Sequence, residues 1–448
     1  MSHPLRHDVG RTLVLGLPLV GSQVAQILVG LTDTLMLGRY SISALAAATL
    51  GSSYFFSLFI LGSGFAYAVL PMSSAAVGQG DETRARRVAR MGLWLSVLFG
   101  VLVMPGFIWS GAILRGLGQQ PEVAADAQAY LRIAGWGMLP WLVTATLRSH
   151  LSALERTRIV LWATLLAAAV NVVLNWFLIF GNLGFPELGL RGAAIASVIV
   201  QVVACGVLGI YSVRGPDMAR FELFRNIQRP DWPAFGEIFR LGWPIGLTHL
   251  SESGLFAASA LMMGWLGTVP LAAHGIAIQI AALTFMVHLG LSAAGTVRVG
   301  KAWGRGDGTA LRRAALAASI LSAIAVVGAT ILYFGAGPVL IGSFISPTDA
   351  AAPAILTLGV SLLTLAALFQ SVDAAQVMAL GFLRGVQDTR IPMIYAIVAY
   401  WALGIPSSYV FGFILGWGPQ GIWFGLVVGL AAAAVALSLR FVRLTSRS

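Results

Sequence analysis

Apolar residues fall along this chain in long runs separated by short polar segments. Twelve runs stand out, at about 11–37, 44–77, 92–113, 126–152, 159–181, 190–213, 237–265, 270–302, 312–334, 352–383, 391–415 and 421–441. Each is long enough to cross a hydrocarbon core roughly 30 Å thick. None shows the period-two alternation of a barrel strand. Backbone groups in lipid must be paired within their own segment, so the runs predict helices. The expectation is an all-α integral membrane protein with twelve transmembrane helices.

The longest polar stretch, RGPDMARFELFRNIQRPDWPAFG at 214–236, divides the runs six and six. The predicted organisation is a bundle over 1–213, a linker over 214–236 and a second bundle over 237–448. The halves repeat at a constant offset of 226. Gly16, Leu17 and Pro18 match Gly242, Trp243 and Pro244, while Met36 and Gly38 match Met262 and Gly264. Gly78, Gly80 and Asp81 match Gly304, Gly306 and Asp307, and Arg86 and Arg87 match Arg312 and Arg313. Six helices return the chain to its starting side. The repeat is therefore parallel, with a pseudo-two-fold axis along the membrane normal and an expected cleft between the bundles.

Composition agrees with a membrane protein: 58% of residues are hydrophobic, 10% are charged and mean hydropathy is +0.85. The net charge of +11 sets topology and does not point to a nucleic-acid partner. With both termini cytoplasmic, 24 of the 28 Lys and Arg lie on the inner side; the four others are Arg39, Arg115, Arg132 and Arg191. That is the positive-inside pattern. No cleaved leader is expected before the first helix. The single cysteine, Cys205, excludes a disulfide framework. Walker A, HExxH and CxxC motifs are absent, as is a clustered nucleophile and base, so neither ATP hydrolysis nor an enzyme is expected.

Three of the 17 acids lie deep inside apolar runs: Asp33, Glu252 and Asp373. An acid at the centre of a membrane helix costs roughly 2.5–3.5 kcal/mol on insertion scales and persists where it meets a partner, an ion or a water-filled cavity. The other half keeps no acid at these places: Asp33 maps to Ser259, Glu252 to Gln26 and Asp373 to the vicinity of Gly137. Such asymmetry favours function over scaffolding. Gln26 shares a helical face with Asp33, and Asn171 shares one with Asn175. Pro18, in the helix of Asp33, permits a bend. Thr248 and His249 precede Glu252 on one face. Gln370 and Gln376 flank Asp373 by three residues each. Two carboxylates with amide and hydroxyl oxygens suit a hard cation such as Na⁺, or they could share a proton. His150, His274 and His288 read as buried, hydrogen-bonded core residues. Met36, Met262, Met263, Met286 and Met378 offer adaptable apolar surface for a promiscuous pocket.

Several strings carry a resemblance: VGLTDTLMLG in helix one, VGQGD after helix two, TVRVGKAWGRGD after helix eight, and LFQSVDAAQVMALGFLRGVQDTRIPMI from helix ten into eleven. The chain resembles the multidrug and toxic compound extrusion (MATE) family, in its bacterial NorM-like branch, over nearly its whole length. The resemblance implies a secondary active antiporter that exports organic cations against inward Na⁺ or H⁺ by alternating access. It also implies cation coupling at Asp33, Glu252 and Asp373, with Asn171 and Asn175 accompanying the first, and with Glu252 and Asp373 as candidate Na⁺ ligands. Family members can carry a tyrosine four residues before the helix-ten acid; here that residue is Phe369. No cofactor is expected beyond the coupling ion. The expected setting is the bacterial inner membrane, as a monomer, with cationic, amphipathic or aromatic substrates. The competing expectation is a flippase of lipid-linked oligosaccharides or lipids from the same superfamily, which the acids disfavour.

Overall fold

The computed structural model describes residues 3–346 and 350–446. Among them the chain is helical and has no strand. We label its long helical segments α1 (His3–Tyr40), α2 (Ile42–Gln79), α3 (Glu82–Ile108) and α4, which joins Pro121–Ala134 to Met138–Ala153 through a 3-10 turn at Gly135–Gly137. There follow α5 (Thr157–Leu178), α6 (Gly189–Arg214), α7 (Trp232–Leu266), α8 (Thr268–Gly304), α9 (Gly308–Gly342) and α10 (Ala352–Gly385). The last two are α11, which runs from Arg390 to Ile414, and α12 (Gly418–Thr445). A short helix, Ser110–Gly116, follows α3.

Ten of these segments are long and apolar enough to cross a membrane by length and composition alone. The other two are α4, interrupted at Gly135–Gly137, and α7, diluted by His249, Ser251, Glu252 and Ser253. Together they make the twelve-helix arrangement that the apolar runs predict.

The repeat has a local physical basis. Gly80 (φ 77°) and Gly306 (φ 69°) take the left-handed conformation that glycine tolerates best. The next residue caps the following helix: Asp81 Oδ1 accepts from Arg84 N at 2.8 Å, and Asp307 Oδ1 accepts from Ala310 N at 2.8 Å. Each half thus turns between its second and third helices by the same Gly-Asp device.

Packing divides the chain differently from the polar stretch. One compact unit is residues 21–246; the other is 1–20 together with 247–448. The boundary at 214–236 expected from the sequence is therefore not where the packing divides. The first turns of α1 belong with α8 to α12, and the first turns of α7 belong with α2 to α6. Both divisions fall two residues after a proline, Pro18 or Pro244, where the helical ladder lacks a donor. Matching glycines permit both attachments. A Cβ on Gly64 would lie 2.5 Å from the backbone of Gly246, and one on Gly290 would lie 2.5 Å from the backbone of Val20.

Segment 214–236 is a strap packed on α3 within its own unit. Arg90 donates to the Arg225 carbonyl at 3.1 Å and Trp94 Nε1 donates to the Ile227 carbonyl at 2.7 Å. Met218, Phe221 and Leu223 are buried in the core of that unit. Arg87 pairs with Asp231, and its guanidinium holds the Asp231 carboxyl below the usual carboxylate range. The other unit repeats the clamp with Asp8, which pairs with Arg298 at 2.5 Å and Arg313 at 3.6 Å. Arg313 is the repeat partner of Arg87.

Candidate functional site

Each unit holds one polar centre among apolar helices. In the unit 21–246, Asn171 and Asn175 stand one turn apart on α5 and are fully buried. Both turn their amide nitrogens to α1: Asn171 Nδ2 donates to Asp33 Oδ1 at 2.9 Å and Asn175 Nδ2 donates to the same oxygen at 2.5 Å. Ser197 of α6 lies beside the same carboxyl. Because both amides donate with nitrogen, both asparagine Oδ1 atoms stay buried without a partner. The centre is one acid with spare acceptors around it. Gln26 is exposed and takes no part. Seven residues keep it on the face of Asp33 but about 10 Å away along the axis.

In the other unit the acids are paired. Glu252 of α7 and Asp373 of α10 share Gln376 as a neighbour. Gln376 Nε2 donates to Glu252 Oε1 at 3.4 Å and, at shorter range, to the Tyr400 hydroxyl of α11. Asp373 and Gln376 are buried, and their Asp373 Oδ1 and Gln376 Oε1 atoms have no hydrogen-bond partner. On the far side of Glu252, His249 Nδ1 lies 3.7 Å from Oε2. Arg384 donates to His249 Nε2 at 3.0 Å, which leaves the imidazole proton on Nδ1, facing the acid. The polar chain therefore runs Arg384, His249, Glu252, Gln376, Tyr400.

Gln370 is not part of this group. Six residues from Gln376 turn it about 120° around α10. There its Oε1 accepts from Tyr333 at 2.7 Å and Thr284 at 3.0 Å, while its Nε2 donates to His288 at 3.2 Å. His288 Nδ1 meets Ser322 at 2.8 Å. Its ring sits in a satisfied core network. His274, which accepts from Trp423 Nε1 at 3.1 Å, and His150, 3.4 Å from Ser73, sit in similar surroundings. Phe369 is buried edge-on to Trp423 and Phe256. Met262, Met263 and Met378 are packed in the core of this unit, so they do not supply the open apolar surface expected of them.

The MatE family profile matches the chain twice, over residues 18–177 and 244–410. The chain belongs to the MATE family. It is a membrane transporter rather than an enzyme, in a family of multidrug efflux proteins. Among its relatives, a probable multidrug resistance protein NorM of Rhizobium meliloti (strain 1021) is 47% identical over 97% of this chain and 93% of the relative. The NorM of Agrobacterium fabrum (strain C58 / ATCC 33970) is 44% identical over 97% and 94%. Among solved structures, a crystal structure of MATE in complex with MaL6 superposes at TM-score 0.90, with 22% identity over 100% of this chain and 99% of that one. An outward-facing multidrug resistance MATE transporter superposes at 0.89, with 22% identity over 98% and 96%. The two profile matches start 226 residues apart, the offset at which the sequence repeats.

The MATE fold thus brings Asp33 to Asn171 and Asn175, and Glu252 to Asp373 and Gln376. Two participants escaped the sequence. Tyr400 sits in an aromatic-rich run with no signal to single it out. Arg384 lies eleven residues, three turns, beyond Asp373 and so on its face, a spacing that was open to reading.

Could a cation be held at the second centre? Among the described residues no group of three or more His, Cys, Asp and Glu is placed to hold a metal ion together. Two carboxylates with two unpaired, buried acceptor oxygens, one carboxyl and one amide, form an all-oxygen donor set that fits a hard monovalent cation.

Proposed function

We propose that this transporter exports organic cations in exchange for inward Na⁺ or H⁺, by alternating access, with Glu252 and Asp373 as the coupling centre and Asp33 as a switch. The unpaired, buried acceptors beside Glu252 and Asp373 carry the reading. Buried acceptors without partners are costly, and a scaffold would satisfy them with neighbouring donors. A cation or a shared proton satisfies them reversibly. Asp33 takes both asparagine donors on a single oxygen, with Ser197 beside the same carboxyl, a set of partners that a change of charge would release. Pro18 then allows α1 to respond by bending. The arginine distribution supports a bacterial inner-membrane topology with both termini cytoplasmic, and the chain is proposed to work as a monomer. Substrates are proposed to be cationic and amphipathic or aromatic, which acidic surroundings attract through Coulomb and cation–π terms.

The test is ethidium uptake into inside-out vesicles with an imposed Na⁺ or pH gradient. Gradient-driven accumulation that collapses with the gradient is expected. Equal uptake with and without either gradient contradicts antiport.

A further inference from the structure

A third helix reaches the acid pair. From α11, Tyr400 brings a fully buried hydroxyl to Gln376. The backbone around it departs from regular α geometry. Over Val398–Gly404, and again over Val410–Ile414, α11 widens to i→i+5 bonding. Such π segments are rare and concentrate at functional sites. Pro406 follows and cannot donate to the turn before it.

The position of α11 is imposed by α12. Gly421, Gly425 and Gly429 stand four apart on one face. A Cβ on each would lie 2.5, 2.1 and 2.7 Å from α11 backbone atoms. The close approach, of the small-xxx-small kind, clamps α11 while its widened turn carries Tyr400 toward α10.

Tyr400 and Glu252 hold the amide between them: the carboxylate accepts one Nε2 proton and the phenol oxygen accepts the other. With Nε2 committed to Tyr400 and Glu252, Gln376 keeps Oε1 buried and unpartnered, as is Oδ1 of Asp373 about one turn earlier on α10. If the amide turned over, it would offer the acids N–H donors and lose an acceptor from the set.

We infer that Tyr400 is a positioning residue for cation recognition: its neutral phenol orients Gln376 so that the amide oxygen completes the Na⁺ donor set of Glu252 and Asp373. This rests on the proposed cation coupling at those acids. Tyr400→Phe keeps the ring and its packing and removes only the hydroxyl.

The test follows the thermal midpoint of purified protein by tryptophan fluorescence during a Na⁺ titration, with K⁺ balancing ionic strength. Each variant's Na⁺-free midpoint serves as its own baseline. Wild type should rise with Na⁺. Tyr400→Phe should need about tenfold more Na⁺ for the same rise, the scale of one hydrogen bond. Gln376→Ala should show a similar loss, and the double variant should lose nothing further. A Tyr400→Phe titration within twofold of wild type overturns the inference and leaves the coupling site standing. So does a double variant in which the two losses multiply. A wild-type midpoint indifferent to Na⁺ removes Na⁺ coupling at these acids and the inference with it.

Discussion

The two polar centres solve the problem of a membrane-buried carboxylate in different ways. Around Asp33 there is one acid, and two amide donors converge on a single oxygen. Around Glu252 and Asp373 there are two acids, an Arg384–His249 arm on one side and a Gln376–Tyr400 arm on the other. The first arrangement gathers side-chain donors on one carboxyl, partners that it can exchange as a switch needs. Both leave buried acceptors without donors, two asparagine oxygens at the first and a carboxyl and an amide oxygen at the second; only the second adds the paired carboxylates that a cation-holding centre needs. The symmetric scaffold hosts asymmetric chemistry, so the repeat explains where helices lie and not what each unit does.

The largest expected effect separates the centres by loss of coupling. Glu252→Gln and Asp373→Asn should each bring ethidium efflux from cells down to the vector level, with membrane expression unchanged. Drug resistance at wild-type level in either variant would sink the assignment.

Asp33→Asn should act on turnover. A drop of about tenfold, a barrier change of about 1.4 kcal/mol, is expected in transport rate with equilibrium ethidium binding held within about threefold. Asn171→Ala and Asn175→Ala should give milder versions. If these variants instead lose thermal stability while the surviving protein transports normally, the cluster is a helix clasp.

Gly425→Ala should mark what a packing defect looks like beside these. Its Cβ would meet Ser408 N at 2.1 Å, and overpacking of this kind costs typically 1–3 kcal/mol. The thermal midpoint should fall. An unchanged midpoint would show that α11 can move away from α12, contrary to the clamp described above.

The smallest effect concerns the strap. The lowered Asp231 carboxyl contributes stability in full above the ordinary carboxylate pKa of about 3.9. That contribution is lost as pH falls through the lowered value. Arg87 is 45% exposed, so the pair should be worth less than about 1 kcal/mol. Asp231→Asn should flatten the acid limb of a midpoint-against-pH curve slightly. An unchanged acid limb would leave the strap held by Met218, Phe221 and Leu223 and by the Arg90 and Trp94 hydrogen bonds.

How much of this was legible beforehand follows from what sequence encodes. Membrane helices are spelled by composition, and the Gly80-Asp81 and Gly306-Asp307 turns by residues with narrow conformational uses. Acids in apolar runs stand out because their cost demands a reason. The unit boundaries at Pro18 and Pro244 were hidden because polar stretches locate loops, while packing is decided by glycines such as Gly64 and Gly290. Gln370 was misplaced because flanking positions three residues either side of Asp373 diverge around the helix. Tyr400 was invisible because the widened turns of α11 break the period that face assignments rely on.

The most direct test of the division of labour is displacement of bound tetraphenylphosphonium from purified protein by Na⁺ and, separately, by acid pH. Exchange requires drug and coupling ion to disfavour one another's binding. Wild type and Asp33→Asn should both release the probe as either Na⁺ or proton concentration rises, and the doubly neutral Glu252→Gln, Asp373→Asn protein should not respond to either. Displacement that persists at wild-type concentrations in the doubly neutral protein would contradict the assignment of coupling to these two carboxylates.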